Sequence, residues 1–301
     1  MQKIFEQLLV LYVFISVGYL LGKLFKKKLE HTEVLSVLLV NVFLPCKVFK
    51  SFATNFTTTF FSEKYSLIIA STILLFLLAL LAPIVSNRLG KNKTERNVYK
   101  YSVPISNYAY LGYVLIEGVF GQEFLTSFIF FAIPFIFYTY TFGYTILTNS
   151  SNNIKKLINP ITISIIIGAI VGLTGIILPD PINTIISNAS SVVGPLSMIM
   201  TGIVLSTFAF GKLFTDIPSY VFLFIKMIII PAICFGTCLL LNLHEISYMV
   251  LIITCMPCGL NPIVFSKLIG EDSVPGARLV ILSHLVAMIS LPLWLSLISI
   301  I

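Results

Sequence analysis

One stretch constrains the chain more than any other: Cys255-Met256-Pro257-Cys258-Gly259-Leu260-Asn261-Pro262, in the middle of an apolar run from about Ile246 to Ile269. Two prolines and a glycine stand where a membrane-crossing helix has to be continuous. Each proline removes a backbone donor and disfavours the helical conformation of the residue before it, so two half-helices joined by a non-helical link are expected. In hydrocarbon an unpaired backbone amide costs several kcal/mol, so such a link must be wrapped in protein or line a watery cavity. Half-helix ends carry partial charge, positive at an N-terminus and negative at a C-terminus. The link is therefore a candidate resting place for an anion or a small cation. The plainer reading is a proline kink that only shapes packing, and a second break elsewhere weighs against it.

The membrane in this argument comes from composition. With 57% hydrophobic residues, 10% charged residues and a mean hydropathy of +1.02, the chain is far too apolar for a soluble domain. Apolar runs of about 20 residues give ten expected spans, at 4–22, 34–52, 66–86, 98–120, 124–147, 158–178, 184–208, 219–241, 246–269 and 276–300. The expected fold class is thus an all-α polytopic membrane protein with short connections. The first span reads as a retained helix, since Lys23, Lys26, Lys27 and Lys28 follow it and no small-residue cleavage site is evident.

A net charge of +7 suggests acidic partners, but the basic residues occupy every second connection. Lys23 to Lys28, then Arg88, Lys91, Lys93 and Arg96, then Lys155 and Lys156, then Lys212 follow spans one, three, five and seven. They report topology rather than nucleic-acid binding, and place both termini outside the cytoplasm of a cell-membrane protein. Cys255 and Cys258 have a C-x-x-C spacing, but no second pair or neighbouring histidine completes a metal site, so no metal and no cofactor is expected.

The second break lies in the fourth span, where Pro104, Ser106, Asn107 and Gly112 interrupt the apolar pattern among Tyr101, Tyr108, Tyr110 and Tyr113. Asn107 supplies a donor and an acceptor able to orient a ligand. Tyr101 also fits an interfacial belt, whereas Tyr108 and Tyr110 are too deep for one. The second span is kinked by Asn41 and Pro45 and carries Lys47 and Lys50; Lys47 either snorkels or attracts an anion. Glu117 in span four and His284 in span ten are intramembrane ionisable groups, candidates for coupling or gating, with a neutral structural histidine as the alternative for His284. Lys226, about two turns into span eight, reads as able to reach the surface. Gly168 and Gly172 form a G-x-x-x-G suited to close helix packing.

Prolines 45 and 195, 104 and 257, and 134 and 292 lie at offsets of 150, 153 and 158, which suggests two copies of one unit, 1–150 and 151–301. Five spans per copy turn the second upside down. The broken fourth and ninth spans then cross near the midplane as an inverted pair.

This pattern resembles the auxin efflux carrier family, which includes plant PIN-type carriers and bacterial malate or malonate permeases. The resemblance covers the whole chain and is sharpest from Met256 to Lys267 and from Ser283 to Leu293, with the Asn107 stretch and Asn41 to Pro45 as further matches. It implies ten spans in two inverted five-helix repeats, a scaffold part and a crossover-bearing transport part, and movement of organic anions by alternating access. It carries over Pro104 and Asn107 in one crossover and Pro257, Gly259, Asn261 and Pro262 in the other; Ser106, Tyr108, Asn41 and Pro45 join them as candidate substrate-binding residues.

The expected function is therefore a secondary transporter for a small carboxylate. No G-x-x-x-x-G-K-[ST] is present for ATP, so the membrane potential or a coupled ion, H+ or Na+, is the expected drive. The alternatives are a bile-acid-symporter-like or cation/proton carrier, and a ligand sensor that does not transport. An intramembrane enzyme lacks a visible constellation of nucleophile, base or paired carboxylates. Expected partners are the organic anion, the bilayer and, as a homodimer, a second copy of the chain.

Overall fold

The computed structural model describes residues 2–25, 33–149, 158–208 and 214–298, and of Glu33, Lys267 and Leu268 the backbone alone. Of the basic residues used for topology, Lys26 to Lys28, Lys155, Lys156 and Lys212 lie outside the described residues. Within them the chain is helical, with no strand.

In chain order the helices are α1 (Gln2–Leu24), α2 (Val34–Asn55), α3 (Thr58–Leu89), α4 (Lys93–Ser102), α5 (Tyr108–Phe120), α6 (Gln122–Thr148), α7 (Pro160–Thr174), α8 (Asp180–Ser206), α9 (Ile217–Leu240), α10 (His244–Cys255), α11 (Asn261–Leu268) and α12 (Val274–Ile298). Short polar residues start several of them. Thr57 accepts from the Phe60 amide before α3, Asn92 from that of Glu95 in α4, and Asn159 closes a capping box on α7 with Pro160 just inside. Among the described residues wide π-turns interrupt three helices, at Leu39–Phe43, Thr139–Gly143 and Ile225–Ile229, and a fourth, Tyr108–Gly112, opens α5.

Among the described residues seven helices are long and apolar enough to cross a membrane: α1, α2, α3, α6, α8, α9 and α12. The expected sixth span is the shorter α7, and the expected fourth and ninth are each two helices with a gap. The third expected span begins earlier than the hydropathy suggests, at Thr58, so Lys64 lies within α3, where it pairs with Glu245. Large apolar side chains face outward along these helices, among them Leu9, Leu20, Phe76, Leu77, Leu80, Ile166 and Ile170, each more than half exposed. In water that surface would aggregate; in lipid it is at its lowest free energy. The chain is a multi-pass membrane protein.

The helices sort into two packed groups. In one, α1 lies along α8, and α2 along α7 and α8; in the other, α3, α4, α6, α9, α10, α11 and α12 pack on one another, with α5 joined through α6. The first group is held by close backbone approach. A Cβ added at Gly202 of α8 meets the Ile15 carbonyl oxygen of α1 at 2.0 Å, and one at Gly172 of α7 meets the Phe52 and Phe56 carbonyl oxygens at 2.5 Å. The G-x-x-x-G of α7 therefore packs as its spacing predicts. The groups touch where α5 meets α1 and α8, where α2 meets α6, and where α1 meets α12, the Tyr12 hydroxyl donating to the His284 carbonyl at 2.8 Å.

Candidate functional site

Both proline-bearing stretches break their helices. After α4 the chain is non-helical from Val103 to Asn107, and after α10 from Met256 to Leu260. The gaps lie against each other and satisfy each other's polar groups. The Asn107 amide donates to the Pro257 carbonyl at 2.7 Å, and the Ser106 hydroxyl to the Ile253 carbonyl at 2.7 Å. The Cys258 amide donates to Ser283 Oγ of α12 at 3.0 Å. Backbone groups released by the prolines are thus paired inside protein, as burial requires.

Beside this junction is a cavity of about 40 Å³, room for roughly three waters at ~10–15 Å³ each. Residues 106–110 at the head of α5 and 259–261 at the head of α11 line it, facing Tyr101, Tyr113, Thr139, Tyr140 and Leu44. None of its lining residues is charged. First-turn amides of a helix lack intrahelical partners and carry the positive end of its dipole. Two such helix starts bear on one small space.

The polar atoms there are partly used. His284 Nδ1 lies 2.8 Å from the Val280 carbonyl, which can only accept, so the ring proton is assigned to Nδ1. Nε2 then accepts, at 3.4 Å, from the Asn107 amide nitrogen. That orientation leaves Asn107 Oδ1, a buried acceptor, with no partner in the protein; the buried Tyr113 hydroxyl has none either. Asn261 donates to the Tyr101 hydroxyl at 2.7 Å, which frees the Tyr101 proton to be offered elsewhere. Unpaired buried polar atoms next to a cavity are the mark of a place made for a ligand or water.

Comparison with known proteins decides the family. A model of the family described as membrane transport protein, which is the auxin efflux carrier family, matches residues 3–156 and 145–295. The chain belongs to that family. An uncharacterized transporter of Methanocaldococcus jannaschii is 25% identical to it over 96% of this chain and 97% of the relative. Family and relative both point to transport rather than to an enzyme.

Within this membrane transport protein the expected site residues separate into three sets. Ser106, Asn107, Tyr108, Gly259 and Asn261 come together at the cavity. Pro104, Pro257 and Pro262 shape the gaps without lining it, and Pro45 is buried in α2 next to the lining residue Leu44. Asn41 does not reach the site: it is exposed, its amide turned back on the Val37 carbonyl of its own helix. His284 acts on the cavity through Asn107.

Two expectations for charged residues are corrected. Lys47 neither snorkels nor faces the cavity; it is buried and forms an ion pair with Glu117 that joins α2 to α5 across the boundary between the helix groups. Lys226 does not reach the surface; it is 1% exposed, its ammonium on the Val103 carbonyl at 3.0 Å. Tyr101 is likewise buried at the cavity rather than in an interfacial belt. Thr139 and Tyr140 are lining residues that the sequence reading passed over, although the run Tyr138-Thr139-Tyr140-Thr141 is conspicuously polar for a membrane helix.

A second charged cluster stands where α4, α9 and α12 begin. Arg278 Nη1 lies 3.0 Å from Asp216 Oδ2 and 3.4 Å from Glu95 Oε1, Lys91 pairs with Asp216, and the Lys91 amide donates to Glu95 at 3.0 Å. Burial pushes the Asp216 carboxyl up, but the bonds from Lys91 and Ser219 and the nearby Arg278 guanidinium outweigh it and hold the group down to about 2.

Proposed function

We propose that this protein is a secondary transporter that carries a small organic carboxylate across the cell membrane by alternating access at the junction of the two broken helices. The observation that carries this reading is the cavity at that junction, where two helix starts, the Asn261 side chain and tyrosine hydroxyls offer positive potential and donors without any fixed charge. An anion held by dipoles and neutral donors is released more readily than one clamped by arginine, as a carrier requires.

Asn107 Oδ1 adds a requirement. It accepts only, so a ligand that satisfies the site presents a hydrogen-bond donor as well as a carboxylate. Malate, with its hydroxyl, and indole-acetate, with its N–H, meet this; malonate does not.

In this reading the broken pairs α4–α5 and α10–α11 each complete one crossing, giving ten, arranged as inverted units 1–150 and 151–301 with both termini outside the cytoplasm. The group of α1, α2, α7 and α8 is the scaffold, and the other group moves against it. The cavity at 40 Å³ is a closed state, which has to widen to admit an acid.

Uptake of radiolabelled malate, malonate and indole-acetate into proteoliposomes under an imposed potential, pH gradient or sodium gradient tests the proposal. Saturable, potential-driven uptake of a donor-bearing acid in preference to malonate is the expected result. Binding without flux under any gradient would overturn the carrier in favour of a sensor.

A further inference from the structure

The cavity uses only one pole of each broken helix. The opposite poles, the C-terminal ends of α4 at Ser102 and of α10 at Cys255, belong to the same two gaps, and the residue set against them is Lys226 of α9. Its ammonium donates to the carbonyl of Val103, the residue just before Pro104, and the π-turn that carries it packs on α10. Neither Lys226 nor Val103 lines the cavity. Among the described residues no carboxylate lies within ion-pair distance of it.

A buried ammonium without a counter-charge is normally expelled or neutralised by an acid. Here the compensation comes from backbone: each helix C-terminus contributes roughly half a negative charge, and the Val103 carbonyl is available as an acceptor because the chain beyond it is not helical and the Asn107 amide turns to Pro257 instead. Such freed carbonyls and C-terminal ends are the chemistry that coordinates a mobile monovalent cation in a membrane protein. The π-turn Ile225–Ile229 carries Lys226 at this depth, and the Met227 carbonyl that follows is taken by the Trp294 indole at 2.9 Å, which fixes the turn against α12.

We propose that Lys226 is a tethered cation that fills the position of a coupling sodium ion at the C-terminal poles of the broken helices, so that the charge balancing a bound anion is part of the protein itself. The inference rests on the carrier reading for its meaning in transport. Its test does not, because it reads cation binding in chloride with no organic acid present.

Trp294 is the single tryptophan of the chain and sits one residue's carbonyl away from Lys226, so its fluorescence reports directly on the site. The purified full chain in nanodiscs is titrated with sodium chloride against N-methylglucamine chloride at constant ionic strength, following fluorescence and thermal unfolding. Wild type is expected to show no sodium-specific change. Lys226→Ala is expected to acquire a saturable, sodium-specific fluorescence change and a rise in Tm of roughly 2–5 °C near saturation, with methylammonium chloride acting likewise. Lys226→Met, which restores the bulk without the charge, should be less stable than wild type and indifferent to either cation.

A sodium-specific response in wild type would overturn the proposal, and this holds even if no variant accumulates. So would Lys226→Met with the Tm of wild type, or Lys226→Ala unresponsive to sodium and methylammonium alike. Absence of flux for every acid would remove the carrier reading and leave these cation results standing.

Discussion

Asn107 and Asn261 stand at matching places after the two breaks, yet their side chains are used differently. Asn261 spends its amide on Tyr101, while Asn107 spends its amide on His284 and keeps its oxygen free. Both asparagines were legible in the sequence, because a carboxamide beside a proline in an apolar run has few roles other than pairing released backbone or ligand. Which atom each leaves open was not, since that depends on His284, far away in the chain. Asn261→Ala is expected to weaken binding of the proposed acid by about 10- to 100-fold, the worth of one hydrogen bond from its second amide hydrogen to a charged group, and Asn107→Ala by about 3- to 10-fold, since its oxygen meets a neutral donor. Isothermal titration in nanodiscs measures this, and unchanged affinity in both variants would remove the site assignment. His284→Ala should weaken binding less than Asn107→Ala, because it loosens the amide rather than removing it.

The elements show why Asn41 and Lys226 were misplaced and Tyr140 was passed over. Asn41, Tyr140 and Lys226 all sit on π-turns, at Leu39–Phe43, Thr139–Gly143 and Ile225–Ile229. Such a turn inserts one extra residue, which rotates everything beyond it by about 100° relative to a regular helix. Face assignments by helical spacing fail across it, whereas proline and glycine breaks act locally and survive. Contacts between helices are also unequal in what they tolerate. Gly202→Ala places a Cβ 2.0 Å from the Ile15 carbonyl oxygen and must push α1 from α8, whereas Gly259→Ala meets nothing nearer than 3.7 Å. The first should cost about 2 kcal/mol or more and the second well under 1, read as thermal unfolding in detergent.

At the ends of α4, α9 and α12 the Asp216 cluster ties elements together in a way that depends on pH. Its folded value is depressed from 3.8 to about 2, so its contribution is complete above pH about 4 and is lost as pH falls toward 2. The effect is on the order of 1 kcal/mol after allowance for solvent screening. Asp216→Asn should remove that part of the acid sensitivity while leaving stability at pH 7 lower than in wild type; a variant with an unaltered acid profile would contradict the assignment.

For the whole molecule, membrane embedding and the paired breaks follow from composition and proline placement, but the division into two helix groups does not. It rests on glycines meeting backbone from distant parts of the chain, such as Gly202 against Ile15, and no local pattern announces which helix a small residue will meet. Sidedness is a separate matter, carried by the lysines and arginines between helices. A Lys93→Cys variant on a cysteine-free background is expected to resist a membrane-impermeant maleimide added outside intact cells and to react once they are opened. Labelling in intact cells would invert the proposed topology.

The ion pair of Lys47 and Glu117 spans the boundary between the two groups, with Lys47 buried and Glu117 one-third exposed. If the two groups slide past one another as proposed above, these two charges would part company once in every cycle. Their attraction would then be felt as waiting time rather than as affinity: a fastening that opened and closed with each turnover would work as an escapement, metering how often the protein changed face however much of the proposed acid stood on either side.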